Sequence, residues 1–147
     1  MSKIAHRTTH FLLVEDDDDQ ANLFQMSMAR VGSELSVTRM RNGEEALSFL
    51  KQEHPYENAE HPDLVLMDLN MPRLSGHDVI AEMNTCPALS MIPVVVLTSS
   101  DDDADRRRAY AAHASGYVVK PIEFGEFRNM VNDIEDFWAQ WNCPCPD

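Results

Sequence analysis

The chain has 147 residues, 44% apolar and 25% charged, with a formal charge of −13. These values fit one globular domain with a real core, and the acidic balance argues against nucleic acid, whose backbone needs clustered Lys and Arg. No apolar stretch approaches the ~20 residues of a membrane span, the N-terminal segment lacks the apolar heart of a secretory signal, and three Cys make no disulfide framework, so a cytoplasmic, reducing setting is expected.

In chain order, the first apolar run is Phe11-Leu12-Leu13-Val14, which ends in Glu15-Asp16. Short runs of this kind between turn signals read as buried parallel strands. Asp17, Asp18 and Asp19 follow as the solvated start of a first helix, one of them its N-cap. Leu23, Phe24, Met28 and Val31 carry that helix at helical spacing to Gly32, a C-cap. Leu35 and Val37 alternate with polar residues, the pattern of a second, more exposed strand. Asn42-Gly43-Glu44-Glu45 predicts a capping box opening a helix through Ala46, Leu47 and Leu50.

His54 to Pro62 is polar and reads as a loop. Leu64-Val65-Leu66-Met67 is the third strand and runs into Asp68. After a turn over Met71–Gly76, Val79, Ile80 and Met83 mark a third helix that Pro87 ends. Pro93 opens the fourth strand, Val94 to Leu97, which ends in Thr98. The acidic Asp101–Asp105 segment suits a helix N-terminus, with the helix continuing through Ala109–Ala114. Arg106-Arg107-Arg108 is the only basic run and reads as a solvated face paired with those acids. Tyr117-Val118-Val119 ends in Lys120-Pro121. Phe124, Phe127, Val131, Ile134, Trp138 and Trp141 line one side of a long last helix. Five strands thus alternate with five helices, the signature of βαβ units around a parallel sheet.

In such sheets ligands bind at the carboxyl ends of the strands. The chain therefore delivers an acid pair, a lone Asp, a hydroxyl and a Lys to one edge. Glu15, Asp16 and Asp68 could supply carboxylates to a hard cation such as Mg²⁺ or Mn²⁺, leaving positions for phosphoryl oxygen and water. Thr98 and Lys120 could hold phosphoryl oxygens. Asp68, ionised at neutral pH, needs no general base to act as a nucleophile. His54 and His61 read as exposed loop residues, and Cys143-Pro144-Cys145 as a tail.

The chain resembles the receiver domains of two-component response regulators. The matching residues are Leu13-Val14-Glu15-Asp16, Met67-Asp68-Leu69-Asn70-Met71-Pro72, Gly76, Leu97-Thr98-Ser99 and Gly116-Tyr117-Val118-Val119-Lys120-Pro121, in order along about residues 10–138. The resemblance implies a flavodoxin-like, doubly wound sheet of order 2-1-3-4-5 with its site at the β1/β3 switch point. It divides the chain into an extension (1–9), a receiver domain (10–140) and a tail (141–147). It implies that Asp68 accepts a phosphoryl group from a sensor histidine kinase, as a signalling step rather than enzymatic turnover. Asp16 and Asp68 would hold Mg²⁺ with the backbone carbonyl of Asn70, and Glu15 would help directly or through water. Thr98 and Lys120 would bind the phosphoryl group, Tyr117 would swing inward with Thr98 as a switch, and the Lys120–Pro121 peptide would be cis. Asn70 and Ser100 would border the path of hydrolytic water. A weaker resemblance, in the long loop and the Phe137-Trp138 ending, is to stand-alone regulators paired with bacterial phytochromes; Trp138 and Trp141 suggest a homodimer through the C-terminal helical face.

Three rivals are weaker. A receiver-like interaction module that never takes phosphate would keep the fold, yet every expected site residue is present. A haloacid-dehalogenase-type phosphatase expects a second Asp where Asn70 stands. A nucleotide-binding protein would carry Gly-x-x-x-x-Gly-Lys or Gly-x-Gly-x-x-Gly, and neither occurs.

Overall fold

A computed structural model describes residues 8–29 and 34–146. Five parallel strands, β1 (Thr9–Val14), β2 (Leu35–Met40), β3 (Leu64–Met67), β4 (Val94–Thr98) and β5 (Gly116–Val119), form one sheet of order β2-β1-β3-β4-β5. The expected flavodoxin-like order is therefore the observed one. β3, apolar throughout, is the central strand, and β1 lies between it and β2; the register sets Val14 of β1 opposite Met40 on one side and Met67 on the other. β2, with alternating polar residues, takes the exposed edge.

Alternation along the strands divides the core in two. Leu12, Val14, Val65, Met67, Val94 and Val96 face α2 (Gly43–Leu50), α3 (Gly76–Thr85), the single-turn α4 (Pro87–Ser90) and α5 (Asp103–Ala111). Phe11, Leu13, Leu64, Leu66, Val95 and Leu97 face α1 (Asp18–Ser27) and α6 (Phe124–Glu135). The buried Glu135 accepts the Ala29 amide at 2.9 Å, and Asn132 donates to the Ser27 carbonyl at 2.9 Å, so α6 closes the open end of α1.

The helix ends sharpen several expectations. Asp17 is the N-cap of α1, accepting the Asp19 and Gln20 amides. α1 stops at Ser27 with Met28 as its cap, earlier than the helical spacing suggests; Val31 and Gly32 lie outside the described residues. Asn42 caps α2 through the Glu45 amide, but Glu45 returns its bond to the Arg41 amide rather than to that of Asn42. The full reciprocal capping box sits at Ser75 and Asp78, which opens α3. Pro87 does not simply end α3: it occupies the first turn of α4, where a missing N–H costs nothing.

The last helix departs most. Phe127, Val131 and Ile134 are buried, whereas Phe124 is 51% exposed. From Asp136 to Trp141 the chain widens into a π-helix, with the Asn142 amide bonding the Phe137 carbonyl. The wider turn breaks the 3.6-residue phase. Trp138 packs on the core, while Trp141 turns out to 71% exposure.

Candidate phosphoacceptor site

The strand ends are tied together before any side chain enters. The Asp68 amide donates to the Val14 carbonyl at 3.0 Å and the Glu15 amide to the Met40 carbonyl at 3.1 Å. These bonds place Glu15, Asp16 and Asp68 where the strand order reverses between β1 and β3. One carboxylate oxygen from each lies within 4.8 Å of the others. Among the described residues no other set of His, Cys, Asp or Glu converges in this way. Gly76 closes the floor: a Cβ there would lie 2.3 Å from the Asp68 carbonyl oxygen, so only glycine lets α3 start against the acceptor loop.

Glu15 and Asp68 are buried and Asp16 is exposed. Burial pushes the Glu15 carboxyl above its ordinary range; Lys120 opposes the shift and Asp68 adds to it. Asp16 is also pushed up, by desolvation first and by Glu15 next. A group whose folded pKa is raised favours its protonated form, so the ionised acids weigh against folding at neutral pH. A hard divalent cation would relieve that repulsion, and three clustered carboxylates are the donors such an ion selects. The donor set therefore fits a divalent metal.

Lys120 does not point at open space. Its Nζ donates to Glu15 Oε1 at 2.5 Å, with both side chains nearly buried. Glu15 Oε2 accepts the Asp17 amide at 3.2 Å. Both Glu15 oxygens thus have donors, while no basic side chain among the described residues pairs with Asp16 or Asp68. This favours Asp16 and Asp68 as direct ligands, with Glu15 reaching an ion by exchange or through water. The Lys120–Pro121 peptide is trans, contrary to expectation; the cis peptide among the described residues is His54–Pro55.

Two contributors lay outside the sequence reading. Arg39, at the end of β2, donates from Nε and Nη2 to the Glu15 carbonyl at 2.8 and 2.6 Å, and from Nη1 to Asp18 at 2.9 Å. It clamps the acid turn from the neighbouring strand. The only signal was a long cation near the end of an otherwise modest strand. The other is His77, buried just after Gly76.

Thr98 is fully buried at the end of β4, and its Oγ1 accepts the Ser100 amide at 3.3 Å. Tyr117 is half-buried on β5, opposite Val96, and donates its hydroxyl to the Ser100 carbonyl at 3.0 Å. The Arg106 guanidinium lies 5.5 Å from the Tyr117 ring centroid, so one member of the basic run serves the site's border as well as its Asp101 and Asp103 pairs. Asn70 is exposed beside Asp68. His54 pairs with Glu57, and His61 bonds the Leu50 carbonyl, as loop residues do. The tail residues Pro144 to Pro146 border a cleft with His61 to Asp63 and Met91 to Pro93.

A doubly wound parallel sheet with a carboxylate cluster at its switch point, flanked by a buried Thr and Lys, defines a flavodoxin-like phosphoryl-handling module. Within that class the chain belongs to the response regulator receiver domain family, which it matches over residues 11–132. Receiver domains are signalling phosphoacceptors that bind divalent metal, not classical enzymes. The chain is 38% identical over 131 residues to the response regulator Rcp1 of a Synechocystis strain, covering 88% of each protein. It is 37% identical over 131 residues to FilR2 of Methanothrix harundinacea, described as a probable methanogenesis regulatory protein, covering 89% of this chain and 84% of that one. The structure of the phosphorylated cyanobacterial phytochrome response regulator RcpA superposes with a TM-score of 0.90 at 35% identity, covering 95% of this chain and 99% of that one. The Mn²⁺-bound form of Rcp1 gives 0.87 at 35% identity, covering 94% and 99%. No helix among the described residues is long and apolar enough to cross a membrane.

Proposed function

We propose that Asp68 is the phosphoacceptor of this receiver and takes its phosphoryl group from a sensor histidine kinase of the phytochrome type. The convergence of the Glu15, Asp16 and Asp68 carboxylates, with Lys120 against them, carries the reading. The resemblance to Rcp1 and RcpA supports the choice of kinase.

In the transfer, a carboxylate oxygen of Asp68 forms the new bond to phosphorus as the N–P bond of phosphohistidine breaks. The electron pair of that bond stays on the departing imidazole nitrogen. The protein's task is alignment and charge stabilisation. Asp16, Asp68 and the Asn70 carbonyl would hold Mg²⁺ or Mn²⁺, with Glu15 behind them. The bound ion supplies positive charge against the phosphoryl oxygens. Lys120 would exchange Glu15 for a phosphoryl oxygen, and Thr98 would turn its hydroxyl from the Ser100 amide to another. The space behind Thr98 then receives Tyr117, and the surface around α5, β5 and α6 changes with it. Phe124, Phe137 and Trp141, each at least half exposed, support a homodimer through the C-terminal helical face as the output state.

Radiolabelled phosphoryl transfer from a phytochrome-type histidine kinase tests the reading. Label is expected on the wild-type chain and not on Asp68→Asn. Label retained on the variant would place the acceptor elsewhere.

A further inference from the structure

His77 is buried at 5% exposure, and its Nδ1 has no hydrogen-bond partner. Its Nε2 lies 3.4 Å from Asp105 Oδ1, the one polar link of its ring. The other oxygen of Asp105 accepts a short 2.6 Å bond from the Ser100 hydroxyl. Ser100 in turn donates its amide to Thr98 Oγ1 and offers its carbonyl to the Tyr117 hydroxyl. The chain of contacts is therefore His77, Asp105, Ser100, and then both switch residues. Its far end is no less anchored: His77 follows Gly76, which abuts the Asp68 carbonyl.

A surface histidine could not act this way, and a core histidine with both nitrogens satisfied would be a passive strut. His77 is neither. It couples the helix that starts at the acceptor loop to the loop that holds Thr98, and it does so through one long bond with a buried nitrogen left over. Buried polar atoms are normally paired, so the orphan nitrogen calls for an explanation.

We propose that His77 is a positioning residue of the switch: by holding Asp105 it fixes Ser100, and so sets how readily Thr98 leaves the Ser100 amide for a phosphoryl group. The proposal rests on the phosphoacceptor reading for its consequence, not for its geometry. Removing the His77 link frees Asp105, loosens Ser100 and makes the exchange at Thr98 easier.

The test uses the full chain as wild type, His77→Leu, His77→Gln and Asp105→Asn. Leu fills the apolar space without a donor, while the Gln amide nitrogen can stand in for Nε2. In the unphosphorylated protein, His77→Leu and Asp105→Asn are expected to move the Ser100 amide and Tyr117 ring resonances, and His77→Gln to leave them near wild type. With a small-molecule phosphodonor and Mg²⁺, His77→Leu is expected to take up phosphoryl faster by roughly three- to tenfold, the factor one lost hydrogen bond corresponds to. His77→Gln restores the wild-type rate, and Mg²⁺ affinity is unchanged in both. Unmoved Ser100 and Tyr117 resonances in His77→Leu, or equal behaviour of Leu and Gln, overturns the proposal. If Leu impairs folding, Asp105→Asn tests the same link from its other side, and unmoved resonances there overturn it equally. If the wild type itself takes no phosphoryl group, the phosphoacceptor reading fails while the resonances still decide the role of His77.

Discussion

The two halves of the site are held by different forces. At the acid turn after β1 the hold comes from charged side chains: Lys120, just past β5, on buried Glu15, and Arg39 of β2 on the Glu15 carbonyl. On the β4 and β5 side it is a set of bonds through Ser100 to Thr98, Tyr117 and Asp105. A buried ion pair is costly to break from one side. A single hydrogen bond contributes little net energy and can exchange partners. The ionic half therefore keeps the acids aligned until a phosphoryl group arrives to replace Glu15 on Lys120, whereas the hydrogen-bonded half can exchange partners at smaller cost.

The largest break of this contrast is Lys120→Met. It leaves Glu15 buried without its cation, and unfolding free energy at neutral pH should fall by about 3–5 kcal/mol in a urea titration. Adding Glu15→Gln should recover most of that loss. A single-variant loss under about 1 kcal/mol would mean the pair behaves as a surface bridge.

Arg39→Leu comes next, because it removes charge-assisted bonds from the Glu15 carbonyl. A loss of about 1.5–3 kcal/mol is expected, with weaker Mn²⁺ binding by calorimetry and partial recovery in Arg39→Lys. Unchanged Mn²⁺ affinity would show that the acid turn holds its shape without the clamp.

The smallest effect belongs to the exchangeable half. The Ser100 hydroxyl, and His77 after it, hold the Asp105 carboxyl below its ordinary 3.8. A depressed folded pKa contributes stability that is present above the unfolded value and lost as pH falls through the folded one. Wild-type stability should therefore drop as pH falls below the ordinary carboxylate range, and Asp105→Asn should flatten that part of the curve. Parallel curves for the two proteins would remove Asp105 from the account.

What could be read beforehand was what lies close in sequence or repeats with a period. Continuous apolar runs mark β1, β3 and β4, and the residue just past each run is the site residue. Strand order followed from the family resemblance, since periodicity alone does not rank strands. The Lys120–Glu15 pair, the Arg39 clamp and the His77 link join residues distant in the chain, and no local pattern announces them. Ser75 with Asp78 carried a visible capping signal that the turn residues around it obscured. Trp141 was misplaced because a helical wheel assumes 3.6 residues per turn, and the π-helix from Asp136 does not keep that phase. Asp17 caps its helix as the first acidic run suggested, and Asp102 caps α5 within the run that suited a helix N-terminus, since a carboxylate at a helix start needs only its own neighbours.

The most direct test of the account is the intact mass of the chain after incubation with a small-molecule phosphodonor and Mg²⁺, beside Asp68→Asn. The account predicts a gain of one phosphoryl group in the wild type, absent in the variant and absent without Mg²⁺. An equal gain in Asp68→Asn would contradict it.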